Sequence, residues 1–279
     1  MKILHDAPIG VFDSGVGGLS VLRAIRRELP EENLLYVADS GYAPYGDRHA
    51  GFIADRATWI TEFLLAQNVK AIVIACNTAT VVAVGKLRAW CPVPVIAMEP
   101  AIKPASRNTK SGVVGVLATS QTLASPSVAR LCEAHGDNIE ILLQACPGLV
   151  EQVERAELAS DKTRELLVGY LSPLLAAGAD TIVLGCTHYP FLTQLIKDIV
   201  GPDVAILDPA AAVAKEVARR LGGNRVSAFR TREAEVSFFS SAPPDKAGAV
   251  ISALWGKDVV VHGIDSCHVP VRGHCSATT

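Results

Sequence analysis

Short apolar runs recur along the chain, and between them lie longer stretches with apolar residues at every third or fourth position. The runs are "IGVFD" (9–13), "NLLYVAD" (33–39), "AIVIAC" (71–76), "VPVIA" (93–97), "GVVGVLA" (112–118), "IEILLQ" (139–144), "TIVLGC" (181–186) and "VAILD" (204–208). Near-continuous Val, Ile and Leu predict strands covered on both faces, as in parallel sheets. The stretches between them, such as "LSVLRAIRREL" (19–29) and "FIADRATWITEFLLAQ" (52–67), predict helices. Regular alternation of the two predicts a doubly wound α/β fold.

The layout is doubled. One set of strands ends near Glu99, and a fresh set begins at Gly112 after the polar "RNTKSG" (107–112). Each set holds an apolar strand that terminates in cysteine. The expected architecture is two similar doubly wound α/β domains with the active site in the cleft between them. Residues 1–99 plus about 210–279 form the first domain and residues 100–209 the second. The tail from about Pro209 reads as mostly helical and returns to the first unit; its last dozen residues, "HVPVRGHCSATT", read as irregular.

Composition narrows the function classes. The chain is 49% hydrophobic and 19% charged, with mean hydropathy +0.30, enough to bury a large core and compatible with a homodimer. A net charge of −2 provides no basic field, so neither nucleic acid nor an anionic membrane is an expected partner. No 18-residue apolar stretch free of charges predicts a membrane span. Asp6 and Pro8 interrupt any signal-like start, and a cytoplasmic location is expected. Seven scattered cysteines without a C-x-x-C pair then read as reduced thiols.

In open α/β sheets, ligands bind beyond the carboxyl ends of the strands. Those ends deliver Asp13 and Ser14, then Asp39 and Ser40 ahead of "GYAPYGDR", then Cys76, Asn77 and Thr78, then Thr119, Ser120 and Thr122, and finally Cys186, Thr187 and His188. The set is rich in hydroxyl and amide groups and poor in Lys and Arg. "DSGVGGLS" (13–20) matches neither a dinucleotide fingerprint nor a Walker loop. It reads as a tight turn or as a cradle for a carboxylate.

A cysteine in a strand is usually a small buried hydrophobe, the expected role of Cys91, Cys132 and Cys146. Cys76 and Cys186 differ, because each ends its strand before a helix, with hydrogen-bond donors following. A helix N-terminus places partial positive charge near sulfur and favours thiolate. Three chemistries use two such thiols. Zinc could take both with His188, but the spacing lacks the close ligand pairs of metal sites. A disulfide relay lacks a redox motif. Paired acid–base chemistry needs one thiolate to take a proton from one face of a carbon and one thiol to return a proton to the other face.

Together, "FDSGVGGLSVL", "YGD" within "ADSGYAPYGDR", "ACNTAT", "ACPGLVEQVE" and "GCTHYP" resemble the bacterial glutamate racemases, in order from about Ile9 to about Gly222. The resemblance implies cofactor-independent racemisation of glutamate, supplying D-glutamate for peptidoglycan precursors. It implies Cys76 and Cys186 as proton donor–acceptors, with Asp13, Glu154 and His188 tuning them. Glu151 lies close to Glu154 in the same motif. It implies substrate contacts from Asp13, Ser14, Pro44, Tyr45, Gly46, Asn77, Thr78, Thr187 and His188, and from Thr119 or Thr122. Ala129 stands where the family usually has tyrosine. No metal is implied, although Cys267, His268, His274 and Cys275 cluster in the tail. No lysine ends a strand, so a Schiff base to pyridoxal phosphate has no carrier. An aspartate or hydantoin racemase, and a non-catalytic binding module on the same fold, are the other readings.

Overall fold

The computed structural model describes residues 6–136, 138–222 and 234–264. Ten strands occur among them: β1 (Ile9–Asp13), β2 (Leu34–Ala38), β3 (Ala71–Ile74), β4 (Val95–Ala97), β5 (Val113–Ala118), β6 (Glu140–Ala145), β7 (Thr181–Leu184), β8 (Ala205–Leu207), β9 (Val236–Ser240) and β10 (Val261–Gly263). They form two sheets, ordered β10-β9-β2-β1-β3-β4 and β6-β5-β7-β8. Every pairing is parallel. β1, β2, β3 and β7 are buried along their whole length, as their unbroken apolar runs require.

The helices in chain order are α1 (Leu19–Glu28), α2 (Ala50–Ala66), α3 (Asn77–Trp90), α4 (Ile102–Asn108), α5 (Ser120–Leu123), α6 (Pro126–His135), α7 (Leu149–Glu154), α8 (Asp161–Ala176), α9 (Thr193–Val200), α10 (Ala210–Leu221) and α11 (Pro244–Trp255). α2 and α3 help cover one face of the first sheet, and α4 and α6 one face of the second. The largest core cluster includes Val11, Leu22, Leu117, Leu149 and Tyr189 and so runs from the first sheet to the second. The chain crosses to the second sheet after β4. After β8, α10 packs against α1.

The described part of the tail is mostly helical, as expected, in α10 and α11, and it adds two short strands that were not expected. β9 and β10 extend the first sheet beyond β2. β9 is only "VSFFS" and β10 only "VHG", too short for a periodic signal. Cys267, His268, His274 and Cys275 lie outside the described residues. Among the described residues, no helix is long and apolar enough to cross a membrane.

In each sheet the strand order reverses once, between β1 and β3 in the first and between β5 and β7 in the second. Crevices open at such reversals. These four strand ends carry Asp13, Cys76, Thr119 and Cys186. Each cysteine lies two residues past its strand, after Ile74 and Leu184 respectively.

Candidate active site

Cys76 is the N-cap of α3, and the Ala79 N–H donates to its sulfur at 3.3 Å. The thiol points to Ser14 Oγ at 3.7 Å, and the Ser14 hydroxyl donates to Asp13 Oδ1 at 3.3 Å. Asp13 is fully buried. Burial raises its carboxyl above the usual range, opposed by the His188 charge and the Gly18 N–H. Burial also pushes the Cys76 thiol well above its ordinary value, and the Asp13 charge adds to it. The expected effect of the helix N-terminus is present but outweighed: one N–H does not offset dehydration beside a carboxylate.

Cys186 is built differently. It does not cap an α-helix. A 3-10 turn, Tyr189–Leu192, intervenes before α9. Pro190 has no N–H for the Cys186 carbonyl, so the turn closes instead through Tyr189 N–H to that carbonyl at 3.1 Å. The sulfur faces His188 Nδ1 at 3.7 Å, and His188 Nε2 meets Glu154 Oε1 at 2.7 Å. Burial alone would lower the imidazole. Its hydrogen bonds to Cys186 and Glu154, with the charges of Cys186 and Asp13, outweigh burial and hold it well above its ordinary value. The hydrogen bonds to Cys186 and Glu154 thus favour the protonated imidazole.

Glu154 rather than Glu151 reaches this centre. Its Oε1 also accepts from the Val16 N–H at 2.7 Å, and the Ser40 hydroxyl donates to its Oε2 at 3.4 Å. Gly18 N–H donates to Asp13 Oδ2 at 2.8 Å. The glycine-rich loop thus cradles carboxylates, and both belong to the protein. Thr187 sits between the halves, its hydroxyl 3.5 Å from Asp13 Oδ2 and 3.5 Å from His188 Nδ1.

The remaining candidates divide. Asn77 is 2% exposed, and neither atom of its amide has a hydrogen-bond partner. A buried amide left open in this way is a place for a polar ligand. Thr78 Oγ1 lies 3.0 Å from Thr119 Oγ1 and 3.2 Å from Thr122 Oγ1, so both threonines left open by the sequence converge on it. Tyr45 is buried, and its hydroxyl donates to Asp39 rather than into the centre. Asp39 also takes a two-pronged bond from Arg56 at 2.6 and 2.9 Å, and Arg56 stacks over Tyr42 and Trp59. This network fixes the turn that carries Pro44, Tyr45 and Gly46. Gly46 is packed so that a Cβ would come 3.1 Å from Thr119.

The other cysteines are less uniform than expected. Cys146 is buried, whereas Cys91 and Cys132 are half-buried. Ala129 is exposed on α6. Lys70 is buried and paired with Glu32 at 2.5 Å, at the opposite end of β3 from Cys76.

The profile of the family described as Asp/Glu/Hydantoin racemase matches residues 9–217. The chain belongs to that family. This member of it is 51% identical over 258 residues to the glutamate racemase of Ectopseudomonas mendocina, covering 92% of this chain and 98% of that one. Its fold is similar to the glutamate racemase of Francisella tularensis in complex with D-glutamate, with TM-score 0.80, 29% identity and coverage of 94% and 98%. It is also similar to the Escherichia coli glutamate racemase in complex with L-glutamate, with TM-score 0.79, 30% identity and coverage of 92% and 98%. Arg56 and Tyr36 were not found from the sequence, since both lie away from strand ends. Tyr36 donates to the Gly15 carbonyl at 2.7 Å.

Proposed function

We propose that the chain interconverts L- and D-glutamate by transferring protons at Cα between two thiols, supplying D-glutamate for the cell wall. The observation that carries this reading is the pair of cysteines at equivalent strand ends, each with its own ionisable helper. Two relatives of the same fold with opposite glutamate enantiomers bound support the substrate.

In one direction, a thiolate takes the Cα proton and becomes a thiol. The electron pair left on carbon spreads into the α-carboxylate. The opposite thiol then breaks its S–H bond to give a proton to the other face. Solvent proton exchange through Asp13 and His188 returns both sulfurs to their starting state. The reverse reaction uses the same groups in swapped roles. No strong cation is needed at the carboxylates where many neutral donors share the charge. Ser14, the open Asn77 amide, Thr78, Thr119, Thr122, Thr187 and backbone N–H groups of the Tyr45–Gly46 turn are those donors. A dry, preorganised site makes them effective. Residues 1–99 with about 210–279 and residues 100–209 act as the two lobes that place the thiols on opposite faces.

The test is circular dichroism of L-glutamate, D-glutamate and aspartate with the purified chain. Both glutamate signals should decay to zero while aspartate stays constant. Racemisation of aspartate but not glutamate would assign the substrate differently. Silence on all three would overturn the reading.

A further inference from the structure

The glycines of "GVGG" show none of the positive φ values that glycine usually supplies. Gly18 sits at φ −61°, open to any residue. What these positions lack room for is a side chain. A Cβ at Gly15 would lie 1.8 Å from Glu154 Oε1. At Gly17 it would lie 2.2 to 2.6 Å from three atoms of the His188 ring. At Gly18 it would meet Asp13 Cβ at 2.7 Å, the Tyr36 hydroxyl at 3.0 Å and Ala75 Cβ at 3.1 Å. Resting on the two-thiol reading, we propose that these are positioning residues assigned one by one to the thiols. Gly15 and Gly17 set Glu154 and His188 against Cys186, and Gly18 sets Asp13 against Cys76.

The Cβ contacts agree with the hydrogen bonds. Val16 N–H, between Gly15 and Gly17, holds Glu154, and Gly18 N–H holds Asp13. The loop leads from β1, whereas Glu154 and His188 follow β6 and β7 of the other sheet. The first sheet thus gauges the position of the second sheet's helper pair. A Cβ at Gly17 cannot be absorbed by a flexible side-chain end, because the whole imidazole stands in its way. Something must shift there, and a shift of the ring takes it from Cys186 or from Glu154.

The readout must separate the thiols. L- and D-glutamate have equal free energy, so kcat/KM is equal in both directions whatever the mutation. The substrate isotope effect is not so constrained. Slowing the step at one sulfur enlarges the effect for the enantiomer whose Cα deuterium that sulfur removes. It shrinks the effect for the other enantiomer. Cys76→Ser and Cys186→Ser define the two patterns with α-deuterated L- and D-glutamate.

Gly17→Ala should lower kcat/KM by about 100-fold, as an ångström-scale misplacement does, and show the Cys186→Ser pattern. Gly18→Ala should show the Cys76→Ser pattern. In a His188→Ala background, where the ring is gone, Gly17→Ala should cost less than about twofold, since the pair is coupled through one contact. If Gly17→Ala alone fails to fold, recovery of folding by added His188→Ala is the expected result, and failure in both backgrounds overturns the assignment. Identical isotope patterns for Gly17→Ala and Gly18→Ala also overturn it. If the two serine variants themselves show no opposite patterns, the two-thiol reading fails instead.

Discussion

Cys76 and Cys186 occupy equivalent places, two residues beyond β3 and β7, yet their neighbours differ in kind: a carboxyl at one and an imidazole at the other. Cys76 is an α-helix N-cap beside buried Asp13 and is held as the neutral thiol. Cys186 follows a strand into a 3-10 turn and faces an imidazole whose protonated form Glu154 favours. A reversible proton exchange between two faces of a carbon needs two groups of one kind. It does not need two copies of one environment. At any moment one sulfur must carry a proton and the other must not, and unlike helpers distinguish them. On the proposed two-thiol reading, the repeated fold places the sulfurs and the non-repeated side chains distinguish them.

The comparison breaks most easily at the sulfurs. Cys76→Ser and Cys186→Ser should each lower kcat/KM by about 1,000-fold, within the usual range for a lost acid–base group. Steady-state kinetics with either enantiomer checks this. A mild loss at one position would mean a single working base.

The helpers come next. His188→Gln should lower kcat/KM by about 100-fold, and Glu154→Gln by about tenfold, since the latter acts through the ring. Both should carry the isotope pattern of the Cys186 half. Asp13→Asn should carry the opposite pattern. One shared pattern for all three would erase the distinction between the halves.

A smaller change should leave the distinction intact. Arg56→Ala removes the two-pronged partner of Asp39 and loosens the Tyr45 turn. KM should rise by about tenfold, the size of one hydrogen bond to a charged group. The isotope asymmetry should stay as in the wild type. A shift of asymmetry would place this network in the proton transfer.

The smallest effect is on stability. His188 holds its proton more tightly folded than unfolded. Its contribution is complete below the ordinary histidine value of about 6.5 and is lost as pH rises through the folded value. The melting-temperature advantage of wild type over His188→Gln should therefore shrink from about pH 6 upward. A growing advantage would contradict the upward shift of His188.

The inner strands were legible because strands buried on both faces leave unbroken apolar runs, and "AIVIAC" and "TIVLGC" announce themselves twice. β9 and β10 were not, because five and three residues carry no period and their place is set by pairing with β2 and each other. The cysteines and His188 could be read from strand ends. Glu154 could not, since α7 gives no local sign that one of its carboxylates reaches across to a loop after β1. Its choice over Glu151 came from resemblance; in the structure it is Glu154 that contacts His188. The charge asymmetry was hidden for a similar reason. Helix capping is local and visible in sequence, whereas dehydration beside Asp13 depends on everything packed around it.

The most direct test of two separate bases is deuterium content at early times. L-glutamate is incubated with the chain in D2O, and the two enantiomers are separated after a few per cent conversion. The account predicts one deuterium at Cα of the D-glutamate formed and none in the recovered L-glutamate. Deuterium in both from the first turnovers, or product that keeps its proton, would mean one base serving both faces and would contradict it.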